Sequence, residues 1–338
     1  LDEERIGKNY LDPAWTNYEK RIYYSEYDLT EELKEGAHCL GVTLGNGFYN
    51  PLPLRMWGRR NLREDLPHGK PAFIALLKLE YSKGETEEII TDDSWRYAYG
   101  PIRRNNVYLG EVYDARQEIE GWSKADFDDK EWTNSHVVQG PGGELQKSFF
   151  PAIQIRDEIQ PTSIRITDDN KYIVDMGINF TGLYGIRMKG KSGDTITFRF
   201  GERLYEDGQL NPMTTVAGQI KAAGMGGPGS PDIAWQSDSY IFGEDRNAWY
   251  SPEFTFHTYR YMEISGLDEA PLISDIKGMA LNSMVESSNN FTCSSTLIND
   301  IQAASRLTFL SNLLGVQSDC AAREKFGYGG DLNATSEA

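Results

Sequence analysis

From Leu1 to about Ser294 the apolar residues of this chain alternate with polar ones in short runs, and beyond that point the period changes. Period-two alternation places one face of each run against a core and leaves the other in water, so the stretch can bury its apolar side chains only as strands stacked in layers. Residues 21–24, 40–44, 73–79, 171–175, 185–188, 194–200 and 259–264 read as such strands. Between them stand turn formers such as Gly45-Asn46-Gly47, Lys83-Gly84-Glu85 and Asp92-Asp93-Ser94. After Ser294-Ser295-Thr296, which can cap a helix, Leu297, Ile301, Ala304, Leu307 or Thr308, and Leu310 or Ser311 recur at helical spacing.

Composition shifts divide the chain into three. Gln139-Gly140-Pro141-Gly142-Gly143 and the proline-bounded residues 151–161 mark a crossing between two β units. The expected organisation is a β-sandwich over 1–152, a second over 153–280, and the opening of a helical domain over 281–338. Residues 222–231 hold four Gly and two Pro and predict a surface loop inside the second unit. The helical part is too short to support itself, so a C-terminal truncation is expected.

The net charge of −17 and the absence of clustered Lys and Arg argue against a nucleic-acid partner. No apolar run reaches membrane-spanning length, so no membrane insertion is expected. Cys39, Cys293 and Cys320 are far apart and odd in number, which indicates neither a disulfide framework nor a zinc site. His38, His68, His136 and His257 share no ligand spacing, and neither a metal nor a cofactor is expected. The tryptophans Trp15, Trp57, Trp122, Trp132 and Trp235 could stack on sugar faces, although core packing is the readier assignment.

The densest chemistry lies in Asp319-Cys320-Ala321-Ala322-Arg323-Glu324-Lys325-Phe326-Gly327-Tyr328-Gly329-Gly330-Asp331, where three carboxylates and a guanidinium sit among glycines and aromatics behind the helix. A loop of this kind can turn several acids onto one pocket, or lie exposed as an acidic turn. The run from Ser311 to Asp331 resembles the signature with which bacterial α-L-rhamnosidases enter their catalytic barrel: aspartate-cysteine, then arginine-glutamate, then a glycine-aromatic-aspartate ending. Asp12-Pro13-Ala14-Trp15, Leu44-Gly45-Asn46-Gly47-Phe48-Tyr49, Gly110-Glu111-Val112-Tyr113-Asp114-Ala115-Arg116, Asp175-Met176-Gly177-Ile178-Asn179-Phe180-Thr181-Gly182 and Phe254-Thr255-Phe256-His257 resemble the same family in the same order. Ala321 departs from its usual proline and Tyr328 from its usual tryptophan.

The resemblance implies a mainly β fold: two β-sandwich domains of jelly-roll or lectin-like type, followed by the first helix and loop of a truncated (α/α)6 barrel. It implies removal of terminal α-L-rhamnose from glycosides or polysaccharides with inversion, Glu324 being the general acid and the water-activating carboxylate lying beyond residue 338. A general acid must hold its proton at working pH, which burial or neighbouring carboxylates make possible. Asp319 and Asp331 suit that purpose and can accept hydrogen bonds from sugar hydroxyls. Tyr328 would line the pocket, and Arg323 would contact sugar or shape the loop through a salt bridge. A periplasmic or secreted location is expected over a cytoplasmic one, although no signal segment is visible. Two other readings stay open: a non-catalytic carbohydrate-binding protein, and a barrel glycosidase for another sugar.

Overall fold

The computed structural model describes residues 1–51, 55, 56, 60–216, 233–244, 246–286 and 290–336. The loop expected over 222–231 and Trp57 lie outside the described residues. The chain is mainly β, with two sandwich-like β regions and short helices near the C-terminal end.

Most of the order lies in a ten-stranded sheet. Its strands are β1 (Ile102–Asn106), β2 (Gly110–Asp114), β3 (Ile153–Ile159), β4 (Ser163–Ile166), β5 (Tyr172–Gly190), β6 (Thr195–Gly201), β7 (Asp238–Ile241), β8 (Arg246–Tyr250), β9 (His257–Ser265) and β10 (Ile276–Ser283). They run in the order β3-β10-β5-β9-β6-β7-β2-β1, with β4 and β8 also on β5. The 19-residue β5 joins two layers. Its residues 172–175 pair with β4 and β9 and 180–182 again with β9, and the strand pairs with β10 from Gly182 and with β8 from Ile186.

The strand is irregular before this change of partners. The register of β5 with β9 breaks between Asp175 and Phe180, and Gly177 sits there at φ +76°, a conformation open to glycine at little cost. Arg260 fixes the Asp175 carboxylate through Nε and Nη2 at 2.8 and 3.0 Å, while Asp175 also accepts the Gly177 N–H at 2.7 Å. At Gly182 a Cβ would lie 1.9 Å from the Met279 carbonyl oxygen, so only glycine lets β10 approach.

Between the layers Tyr184, Ile186 and Met188 of β5, Ile196, Phe198 and Phe200 of β6, and Met262 and Ile264 of β9 form the core at alternate positions, as period two requires. Each such burial is worth about 1.5–3 kcal/mol. A second cluster, with Val107, Tyr108, Leu109, Leu183, Phe256, Met279 and Leu281, covers the opposite face and takes in Phe48, Leu314 and Phe326.

The hairpin β1–β2 belongs to the large sheet through the parallel pairing of β2 with β7, although it precedes the Gly/Pro stretch at 139–143. It buries Glu111 completely. That carboxyl accepts from the N–H groups of Glu253 and Phe254 at 3.1 and 3.0 Å and from the Tyr250 hydroxyl at 3.3 Å. Burial nevertheless pushes its pKa up from 4.5 to about 8, with the charge of Asp238 adding to the rise against those N–H groups. A carboxyl raised on folding contributes most below its unfolded value and loses that contribution as pH climbs through the folded one. Wild type and Glu111→Gln should therefore unfold at similar urea midpoints at pH 5. By pH 8 to 9 the variant should gain on the order of a few kcal/mol relative to wild type. A difference independent of pH would contradict the buried, protonated Glu111.

Smaller strand pairs make up much of the N-terminal region. Arg21–Tyr24 runs parallel to Glu144–Lys147, and Leu76–Glu80 pairs with Thr86–Ile90. Residues 40–44, expected as a strand, form no ladder; the Trp122 side chain packs so tightly on Gly41 that a Cβ there would lie 2.5 Å from it. Helix α1 (Thr296–Ser311) begins at Ser295, whose side chain makes no capping bond. Its Leu297, Ile298 and Ile301 are exposed. Helix α2 (Gly329–Thr335) follows the acidic loop.

Candidate active-site loop

Helix α1 ends in a tight antiparallel pair, Leu313–Leu314 with Val316–Gln317, turning at Gly315 with φ +75°. Gly315 donates its N–H to Ser283 Oγ at 2.9 Å, which ties the turn to the end of β10. The chain then closes a loop over 319–326: the Asp319 N–H donates to the Phe326 carbonyl and the Lys325 N–H to the Cys320 carbonyl, each at 3.0 Å. Glu324 projects from this loop.

Every part of the Glu324 backbone is held. Its N–H donates to Cys320 Sγ at 3.3 Å, and its carbonyl accepts from the Tyr108 hydroxyl at 2.8 Å. The half-buried carboxylate accepts a short hydrogen bond from the Tyr328 hydroxyl. Phe326 packs edge-on to Trp15 with centroids 5.2 Å apart, and Trp15 stacks on Phe48 at 4.2 Å. Trp15 thus serves packing, as do Trp122 and Trp132, which stack on each other, and Trp235, under the Arg199 guanidinium.

Asp319 shares the loop with Glu324 and feels its charge. Burial holds the Asp319 carboxyl above the usual carboxylate range, against hydrogen bonds from Cys320 and with the Glu324 charge adding to the rise. Its Oδ1 is buried and has no hydrogen-bond partner among the described residues. An acceptor in that state is costly unless something donates to it. Burial also raises the Cys320 thiol, which suits an acceptor better than a nucleophile.

The other expected residues are placed differently. Arg323 is exposed, and its guanidinium donates to the carbonyls of Met213 and Thr214 rather than to a carboxylate. It pins the 212–215 turn through these carbonyls, where sugar contact or a loop-shaping salt bridge was expected. Asp331 lies in the first turn of α2, half-buried, and its carboxylate makes no hydrogen bond or ion pair among the described residues. Its backbone carbonyl accepts from Thr335 Oγ1 at 2.8 Å.

Three supports escaped the sequence reading: Tyr108, Gln236 and Lys325. Gln236 is buried and donates through Nε2 to the Ala322 carbonyl at 2.6 Å. Lys325 is also buried, with its Nζ 2.7 Å from the carbonyl oxygens of both Val107 and Phe256. Only Lys325 lay inside the motif, where a lysine among acids reads as a solvated charge. The other two stand far from the motif in sequence, beside Arg103-Arg104-Asn105-Asn106 and in Gln236-Ser237-Asp238-Ser239, where nothing ties them to Glu324.

Among the described residues no group of three or more His, Cys, Asp or Glu side chains could hold a metal, and no helix is long and apolar enough to cross a membrane.

Comparison with known proteins is consistent along the whole chain. Residues 1–157 match the α-L-rhamnosidase N-terminal domain, 165–282 the bacterial α-L-rhamnosidase concanavalin-like domain, and 286–338 the bacterial α-L-rhamnosidase six-hairpin glycosidase domain. A protein of Formosa agariphila named alpha-L-rhamnosidase is 33% identical over 338 residues, covering 100% of this chain and 34% of its own. The solved α-L-rhamnosidase of Dictyoglumus thermophilum superposes with a TM-score of 0.83 at 32% identity, over 99% of this chain and 35% of that one. The Streptomyces avermitilis enzyme, solved in complex with L-rhamnose, gives 0.82 at 26% identity, over 97% and 30%. The chain spans about a third of the length of these relatives.

Proposed function

The chain belongs to the bacterial α-L-rhamnosidase family, and from that premise we propose that the full-length protein hydrolyses terminal α-L-rhamnosides with Glu324 as its general acid. The observation that carries the assignment is the setting of Glu324: a half-buried carboxyl on a loop whose backbone is bonded on both sides, beside Asp319. A carboxyl so fixed can hand its proton to the glycosidic oxygen as the bond to the sugar carbon breaks.

Asp319 is proposed to accept from a sugar hydroxyl beside Glu324, whose charge acts on its carboxyl. Tyr328, whose hydroxyl donates to Glu324, is proposed to contact the sugar beside the acid. Asp331 is assigned to sugar binding from the first turn of α2, and Arg323 to holding the loop. Inversion places the water-activating carboxylate roughly 6.5–9.5 Å from the acid, across the ring. That group is proposed to lie outside residues 1–338.

The test is a panel of aryl glycosides offered to the full-length protein, with the anomer of the released sugar followed by NMR. Phenol release from the α-L-rhamnoside with β-rhamnose as first product is the expected result. Release from a different sugar alone overturns the substrate, and α-rhamnose as first product overturns inversion. Binding of rhamnose without any hydrolysis supports a carbohydrate-binding protein instead.

A further inference from the structure

We propose that Lys325 is the positioning residue for Glu324, pegging the loop to the β-sheet so that the carboxyl keeps its direction; the inference rests on Glu324 being the acid. Lys325 is 5% exposed in a chain with ample surface for a cation. Removing an ammonium from water is costly unless its hydrogens are taken up, and here they are. Nζ donates to the Val107 and Phe256 carbonyls, both at 2.7 Å, and stands 3.9 Å from the centroid of the Phe256 ring. Burial lowers its pKa well below the usual lysine value, with Asp238 opposing.

The peg fits at a strained point. Lys325 has φ +55°, a left-handed conformation uncommon for a residue with a side chain. Such backbone persists where the surroundings over-determine it. Here they do so from two neighbouring residues of one turn. Val107 receives the Lys325 ammonium, and Tyr108 donates its hydroxyl to the Glu324 carbonyl. Both belong to the β1–β2 turn, while Phe256 immediately precedes β9. The peptide linking Glu324 to Lys325 is thereby referenced to two strands of the large sheet. An apolar side chain could fill the space, but it would leave the Val107 and Phe256 carbonyls without this donor and free the loop to rotate.

Misplacing an acid penalises the reaction only insofar as the leaving group needs its proton. The experiment measures kcat and KM of the full-length protein on phenyl and dinitrophenyl α-L-rhamnosides, for wild type, Lys325→Met, Lys325→Arg and Glu324→Gln. Lys325→Met is expected to lose roughly 30- to 100-fold in kcat on the phenyl substrate. On the dinitrophenyl substrate, which departs unaided, the loss should be under about tenfold, with KM within about threefold on both. Lys325→Arg keeps a cation and donors but moves them, and should show the same leaving-group dependence, more weakly; it answers the case in which Lys325→Met does not fold. Equal losses on both substrates in the folded lysine variants, or no loss, overturn the positioning role. If Glu324→Gln itself shows no leaving-group dependence, the acid assignment fails, and the positioning role falls with it.

Discussion

Replacing Glu324 with glutamine in the full-length protein is expected to lower kcat/KM on an aryl rhamnoside with a poor leaving group by two or more orders of magnitude, the usual range for a missing general acid. The substitution keeps the shape and an acceptor oxygen for the Tyr328 hydroxyl that now donates to the carboxylate. It leaves the backbone bonds to Tyr108 and Cys320 untouched. What it removes is a group able to hand over a proton. Folding should be unchanged by circular dichroism and thermal melting, so a lost rate cannot be assigned to a lost fold. Retention of full activity on a poorly departing aglycone would place the acid elsewhere, and Asp319 would be the next group to replace.

The largest expected loss of stability lies beneath the loop. Asp238 is wholly buried and accepts from the Glu111 N–H and from His257 Nε2, both at 2.8 Å. Burial lowers the His257 pKa, against Asp238, which favours the ring as a neutral donor. The Asp238 charge also acts on the Lys325 ammonium. Asp238→Ala strips the acceptor from two buried donors and the compensating charge from a buried cation. Each buried donor left without its acceptor costs about 1–3 kcal/mol, and a urea titration should show a loss of a few kcal/mol in all. Asp238→Asn, which keeps one acceptor for the Glu111 N–H, should lose less. A loss under about 1 kcal/mol for the alanine variant would mean that water enters the cluster and takes over the bonds.

Much of the β architecture could be read from period-two alternation, and the exceptions each have their own reason. The runs at 194–200 and 259–264 alternate cleanly, and all of their residues but Asp194 lie in β6 and β9. The runs at 171–175 and 185–188 read as two strands, yet residues 172–190 are one strand whose register breaks beside Gly177. The hairpin β1–β2 carries Arg103-Arg104-Asn105-Asn106, which has no apolar alternation, and its membership in the large sheet depends on partners more than a hundred residues away. The helix after Ser294 was legible from its spacing, but the capping bond expected of Ser295 is absent.

At the site, sequence motif and resemblance single out Glu324 and Asp319, and the structure brings them into one loop. The part that could not be read is the support. Lys325 is recognisable as an anchor only once Val107 and Phe256 are seen to converge on it, and Arg323 only once the 212–215 turn is seen beneath it. The upstream motifs take their meaning in the same way. Gly110 to Arg116 carries the buried Glu111, and Trp15 and Phe48 lead to Phe326.

The passage of β5 through both layers has a consequence for how the protein opens. Two sheets that meet only through side chains can separate and exchange their amide hydrogens at different free energies. Here the backbone of one strand supplies ladder bonds to β4 and β9 and, a few residues on, to β10 and β8. Amides of Val174 and Ile186, on opposite sides of the bend, should therefore exchange with deuterium as one cooperative unit, and denaturant should expose them together.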